Sequence, residues 1–174
     1  MTAHWSPEWD RAAVLATDRV WDEGLLSKGG GLCHGIGGNA WPLLMLHDAY
    51  AYHADALEKA RQGYACRGQP VPKGPASEYF LSRALAMLLH ARETRPYNTS
   101  AEPEVEYRLP DHPFSLFEGL AGTVCVWVDA CAVLKARLRW MDVEDFGKDD
   151  VFKQSVQLQL GFPCLGGNGP TGFL

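Results

Sequence analysis

Cys33 and His34 stand side by side inside Lys28-Gly-Gly-Gly-Leu-Cys-His-Gly-Ile-Gly-Gly38. A thiolate and an imidazole on a glycine-rich loop can turn towards one zinc ion, which accepts both ligand types in tetrahedral geometry. Zinc needs three or four ligands, and no sequence neighbour supplies the others. The residues alone therefore leave a second reading open, a buried thiol beside a loop histidine that satisfies backbone groups. Lys28 and Arg108 each stand at the edge of a glycine-loop motif. Cations there could pair with the carboxylates of a small anionic substrate, or be solvated surface charges. Glu118 closes Ser115-Leu-Phe-Glu118, the spacing of a capping box, so its carboxylate is expected to finish a helix start. Glycoside hydrolysis would need paired inward carboxylates. Glu118 and Asp111 are the ones near a loop end, and both have plainer explanations. Cys125 and Cys131 read as core, and His47, His53 and His90 as structural or exposed helix residues. His4 and His112 carry no signal.

The elements that must position these residues are helices. Ser6 can cap and Pro7 can open a helix reaching about Ser27, with Trp9, Ala13, Val20, Trp21 and Leu25 on its apolar side. Lys28 to Gly38 is expected to be a loop, because each interior glycine costs a helix about 1 kcal/mol against alanine. Asn39 can cap a second helix with Pro42 in its first turn, running towards Arg61. Gly63 to Ala76 is a turn-rich exposed connector. Ser77 opens a third helix with a stripe of Phe80, Leu81, Ala84, Leu85, Leu88 and Leu89. Thr94 to Pro113 is a second long loop, and a fourth helix follows with Phe117, Leu120, Val124, Trp127, Cys131 and Leu134 on its buried side. Beyond it, Asp142 to Asp150 is turn-like, Val151 to Leu160 fits a short helix, and Gly161 to Leu174 is a glycine-rich tail. No alternation of period two occurs, so the fold class is all-α.

One internal echo stands out. His34-Gly-Ile-Gly-Gly-Asn-Ala40 and Glu118-Gly-Leu-Ala-Gly-Thr-Val124 share a pattern at an offset of 84 residues, each at the start of an apolar helix. Repeated loop-plus-helix units suggest an array of helical hairpins with the glycine loops gathered at one end.

Composition sets the outer bounds. The 174 residues are 47% apolar and 21% charged with a net charge of −5, enough for a globular core and a poor match to nucleic acid or anionic membranes. No apolar run approaches the ~18–20 residues of a membrane span, and the first residues lack a secretory signal, which points to the cytoplasm. Five cysteines without a CxxC pair read as thiols or ligands rather than a disulfide framework.

Taken together, Trp21-Asp-Glu-Gly-Leu-Leu-Ser-Lys-Gly-Gly-Gly-Leu-Cys-His-Gly-Ile-Gly-Gly-Asn-Ala40 and Arg108-Leu-Pro-Asp-His-Pro-Phe-Ser-Leu-Phe-Glu-Gly-Leu-Ala-Gly122 closely resemble the C-terminal part of eukaryotic LanC-like proteins, relatives of the bacterial lanthionine synthetase C cyclases. The resemblance covers Pro7 to about Lys135. It implies an incomplete α/α toroid: an arc of antiparallel helix hairpins with the 28–38 and 113–122 loops at one end and an apolar edge left open. It also implies a zinc ion held by Cys33 and His34, and glutathione held in part by Lys28 and Arg108. The implied reaction is thiol addition to dehydroalanine or dehydrobutyrine side chains of peptides or proteins. The family's third zinc ligand is a cysteine of an earlier repeat. None of Cys66, Cys125, Cys131 or Cys164 occupies its place, so zinc is expected to bind weakly, with Cys66 or Cys164 as a recruited third ligand if it binds tightly. Residues 1–174 are expected to be the C-terminal portion of a longer protein, with 63–76 as an inserted loop. A cytoplasmic location, peripheral at the plasma membrane, follows from the same resemblance. The alternative is a non-catalytic helical glutathione-binding or scaffold protein.

Overall fold

The computed structural model describes residues 5–25, 29–52, 54–93, 111–142 and 159–161. Among them are five helices and no strand: α1 (Pro7–Glu23), α2 (Ile36–Tyr52), α3 (Ala54–Ala65), α4 (Ser77–Ala91) and α5 (Leu120–Asp142). No helix among the described residues is long and apolar enough to cross a membrane.

In α1 the extended Ser6 accepts the Glu8 N–H at 3.4 Å, Pro7 occupies the first turn, and Glu8 and Asp10 favour the positive helix end. The helix stops at Glu23, short of the expected Ser27. Gly24 is its C-cap, and a Cβ there would lie 3.0 Å from Met87 and 3.1 Å from Asn39. The inward face also differs from expectation, since Asp10 and Thr17 are buried while Trp9, Trp21 and Leu25 are exposed. Hydrogen bonds account for the inversion. Asp10 accepts from Trp5 Nε1 (3.1 Å), Tyr50 Oη (2.6 Å) and Arg61 Nη2 (2.6 Å), and Thr17 Oγ1 donates to the Ala13 carbonyl at 2.7 Å. Trp21 is covered from outside by the Arg83 guanidinium, 5.5 Å from its ring centroid.

Instead of one helix from Asn39 to Arg61 there are two, and α2 begins at Ile36 with Gly37, Gly38 and Asn39 inside it. The glycine loop itself supplies the cap. The Ile36, Gly37 and Gly38 N–H groups donate to the Gly29, Gly30 and Gly31 carbonyls at 2.9, 3.2 and 3.1 Å, so the first-turn donors need no side chain. Asn39 is released from capping and donates through Nδ2 to the Gly24 carbonyl at 2.6 Å. Pro42 lies within the helix. The connector after α3 starts at the 66–68 turn and runs without regular structure to residue 76.

α4 buries Phe80, Leu81, Ala84, Met87, Leu88 and Ala91, while Leu89 is exposed. α5 departs most from expectation. Gly122, Thr123, Val126, Asp129, Ala130, Ala132, Val133 and Ala136 face inward, whereas Phe117 just before the helix, Val124 and Leu134 are exposed. The small residues let the backbone approach its neighbours, which turns the larger apolar side chains outward with Val128, Leu138 and Met141. Among the described residues these side chains form an exposed apolar face. It includes a groove of about 600 Å3 lined by Leu85, Leu89, Trp127, Cys131 and Leu134.

Cross-helix contacts fix the directions. Asp10 meets Tyr50 while Gly24 meets Asn39, so α1 and α2 are antiparallel. Trp127 reaches the Leu88 carbonyl and Arg137 pairs with Glu78, so α4 and α5 are antiparallel too. The core lies where α2 packs on α4 and α5: Ile36, Ala40, Leu43 and Leu44 against Leu81, Ala84, Met87 and Leu88, with Val126, Ala130 and Val133. This is an arc of hairpins, as expected. The expected helix at Val151–Leu160 and the tail from residue 162 lie outside the described residues, and residues 159–161 form no helix.

Candidate functional site

The two glycine loops touch. The Cys33 N–H donates to the Phe117 carbonyl at 2.7 Å, and Thr123 Oγ1 of α5 donates to the Gly30 carbonyl at 2.7 Å. Gly31 lies so close that a Cβ on it would sit 2.6 Å from the Phe117 oxygen and against the Glu118 carbonyl. Only a residue without a side chain permits that approach.

The loops are also copies of one another. Ile36 N–H donates to the Gly29 carbonyl (2.9 Å) and Leu120 N–H to the Pro113 carbonyl (2.8 Å), both partners being displaced by the same 84 residues. At the same offset, Gly35 and Gly119 face the carbonyls of Gly29 and Pro113, and Gly38 and Gly122 those of Leu32 and Leu116. The sequence echo is thus a repeated backbone arrangement. Asn39 and Thr123 occupy equivalent stations and both anchor a loop carbonyl. Neither anchor was assigned from sequence, though their matching place in the echo marked them.

Cys33 and His34 sit on the turn at Leu32–His34, both exposed, with the cysteine backbone pinned to the second loop. A thiol and an imidazole on a held turn suit two corners of a zinc tetrahedron. Among the described residues no group of three His, Cys, Asp or Glu side chains could hold a metal ion. Cys66, at the end of α3, is exposed and joins no such group. Cys164, Lys28 and Arg108 lie outside the described residues.

The remaining candidates resolve differently. Ser115 Oγ accepts the Glu118 N–H at 3.2 Å, one half of the expected capping arrangement, although α5 itself starts at Leu120. Cys131 is exposed and Cys125 half-buried, a correction to their reading as core that follows from the outward turn of α5's larger side chains. His47 is fully buried with Nδ1 3.1 Å from the Ser77 carbonyl and Nε2 lacking a partner among the described residues, and burial holds its pKa below the usual value. It joins α2 to the start of α4, a structural role. His53 lies outside the described residues.

Comparison with known proteins adds the last observations. No protein-family model matches the chain, and no solved structure matches it. Among curated proteins it is similar to "Glutathione S-transferase LANCL1" of Danio rerio, 28% identical over 136 residues that make up 75% of this chain and 24% of that protein. It is also similar to "LanC-like protein GCL1" of Arabidopsis thaliana, 32% identical over 122 residues, 70% of this chain and 21% of that protein. The chain therefore spans less than a quarter of the length of these relatives.

Proposed function

Because this chain belongs to the LanC-like family, we propose that Cys33 and His34 hold a zinc ion where the two glycine loops meet, and that this centre serves addition of the glutathione thiol to dehydroalanine or dehydrobutyrine side chains. The observation that supports it best is the Cys33 N–H bond to the Phe117 carbonyl, which fixes the donor pair against the loop that follows the Arg108 segment. Glutathione enters the proposal from the name of the zebrafish relative and from the Lys28 and Arg108 motifs.

Zinc, when bound, makes a thiol acidic enough to be a thiolate at neutral pH. The chain's own part is to hold and orient. Cys33 and His34 occupy two ligand positions on a turn that crossed loop bonds keep rigid. Lys28 and Arg108 pair with the two carboxylates of glutathione through charge-assisted bonds and aim its sulfur at that turn. The sulfur then bonds to the β-carbon of the dehydro residue, the alkene electron pair shifts to the α-carbon, and that carbon takes up the proton the thiol gave. Nothing is oxidised or reduced.

The test is incubation of the chain with zinc, glutathione and a dehydroalanine peptide, read by mass spectrometry. The adduct is expected with the native chain and is lost in Cys33→Ser. Lys28→Ala and Arg108→Ala are expected to weaken glutathione binding about tenfold or more, roughly 1.4 kcal/mol, with zinc content unchanged. Glutathione binding that depends on Lys28 and Arg108 without any adduct would replace the enzyme by a non-catalytic binding protein.

A further inference from the structure

The short segment 159–161 returns to the middle of α2 and α5 and is held there by two buried carboxylates. Leu160 N–H donates to Asp129 Oδ1 at 2.5 Å and Gly161 N–H to Asp129 Oδ2 at 3.1 Å, where Trp41 Nε1 also donates at 3.1 Å. Gln159 Nε2 donates to Asp48 Oδ2 at 2.9 Å. Asp48, Asp129 and Gln159 are all buried. We propose that 159–161 is a clasp closing α2 onto α5, and that its closing is linked to uptake of one proton by Asp48.

The donor inventory separates the two acids. Asp129 receives three N–H groups. Asp48 receives one neutral amide, and its Oδ1 is buried with no partner among the described residues. A buried carboxylate so poorly served is stabilised by protonation. The groups facing it agree. α5 presents the negative Asp129 and the clasp presents the uncharged Gln159. Arg61 of α3, Arg83 of α4 and Arg137 of α5 pair with Asp10, Asp18 and Glu78. His47, next on α2, is turned to Ser77. Burial first, and Asp129 with it, raise Asp48 from 3.8 to about 7 against the opposing Gln159 bond.

Opening the clasp exposes Asp48 and lets its pKa fall. The closed form therefore holds the extra proton between the two values: closure is strongest at acid pH, weakens as pH rises towards 7 and levels off above it. Asp129 also holds Trp41, on the helix that begins in the Cys33 loop, so the clasp braces the pair of helices carrying both glycine loops.

The Leu160 and Gly161 amides report closure directly through hydrogen exchange measured by NMR and corrected for the intrinsic rate. Their protection in the native chain is expected to fall about tenfold or more between pH 5 and pH 7.5, since each unit of pH within the window changes closure by up to about tenfold. The Met87 and Leu88 amides of α4 should not follow. Asp48→Asn should keep the two amides protected at both pH values, and Gln159→Ala should lower their protection at both. Equal protection of the native chain at the two pH values, a pH effect surviving in Asp48→Asn, or core amides moving in step with the clasp would each overturn the proposal.

Discussion

Alanine at Gly31 tests whether contact between the glycine loops holds the two hairpins together. Its Cβ would lie 2.4 Å from the Glu118 oxygen and 2.6 Å from the Phe117 oxygen, whereas carbon and oxygen pack at about 3.3 Å or more, so the loops must part by about 0.9 Å. The Cys33 N–H bond to the Phe117 oxygen, 2.7 Å long, then stretches out of hydrogen-bonding range. A lost net hydrogen bond of about 1 kcal/mol plus about 1–3 kcal/mol of overpacking gives a destabilisation of about 2–4 kcal/mol. Gly63 provides the control. It lies within α3 with nothing within 4 Å of a built Cβ, so alanine there should stabilise by about 0.5–1 kcal/mol. Urea unfolding of the two variants reads the contrast directly. With a slope of about 1–3 kcal/mol per molar, Gly31→Ala should lower the midpoint by about 1 M or more while Gly63→Ala raises it slightly. A Gly31→Ala midpoint at or above that of the native chain would refute the loop contact as a source of stability.

Asp10→Ala should destabilise by about 3–5 kcal/mol in thermal unfolding, because it leaves the largely buried Arg61 without its carboxylate and Trp5 and Tyr50 without their acceptor. His47, whose pKa burial depresses, must be neutral in the fold; stability is complete above the unfolded value near 6.5 and declines as pH falls below it, a slope that His47→Gln should remove from a series of unfolding curves. Leu138→Lys, on the open face of α5, should leave the urea midpoint unchanged within the equivalent of about 0.5 kcal/mol, since that side chain is 62% exposed.

How far these properties were legible in the residues varied with what each element has to satisfy. α4 could be read from apolar spacing because its buried stripe is made of large side chains. α5 could not, because half of its inward face is Gly122, Ala130, Ala132 and Ala136, which carry little hydrophobic signal but permit close backbone packing. The start of α2 was misplaced for a related reason. Glycine is a poor interior helix residue, yet Gly37 and Gly38 open α2 because their N–H groups pair with loop carbonyls and a Cβ at Gly38 would strike the Leu32 carbonyl. The 84-residue echo was the most informative signal, since it marked equivalent backbone stations that hydrogen bonds reproduce. Cys33 and His34 are visible as a pair, whereas Asp48 and Asp129 carry no local signal, their partners in 159–161 being distant in sequence.

Zinc titration of the native chain beside Cys33→Ser and His34→Ala, followed by dialysis against a chelator, addresses the metal centre most directly. One zinc ion per chain should bind the native protein, each substitution should weaken binding about tenfold or more, and the ion should be removed by the chelator because two protein ligands leave half the shell to water. Zinc binding of equal strength in all three proteins would contradict a centre at Cys33 and His34.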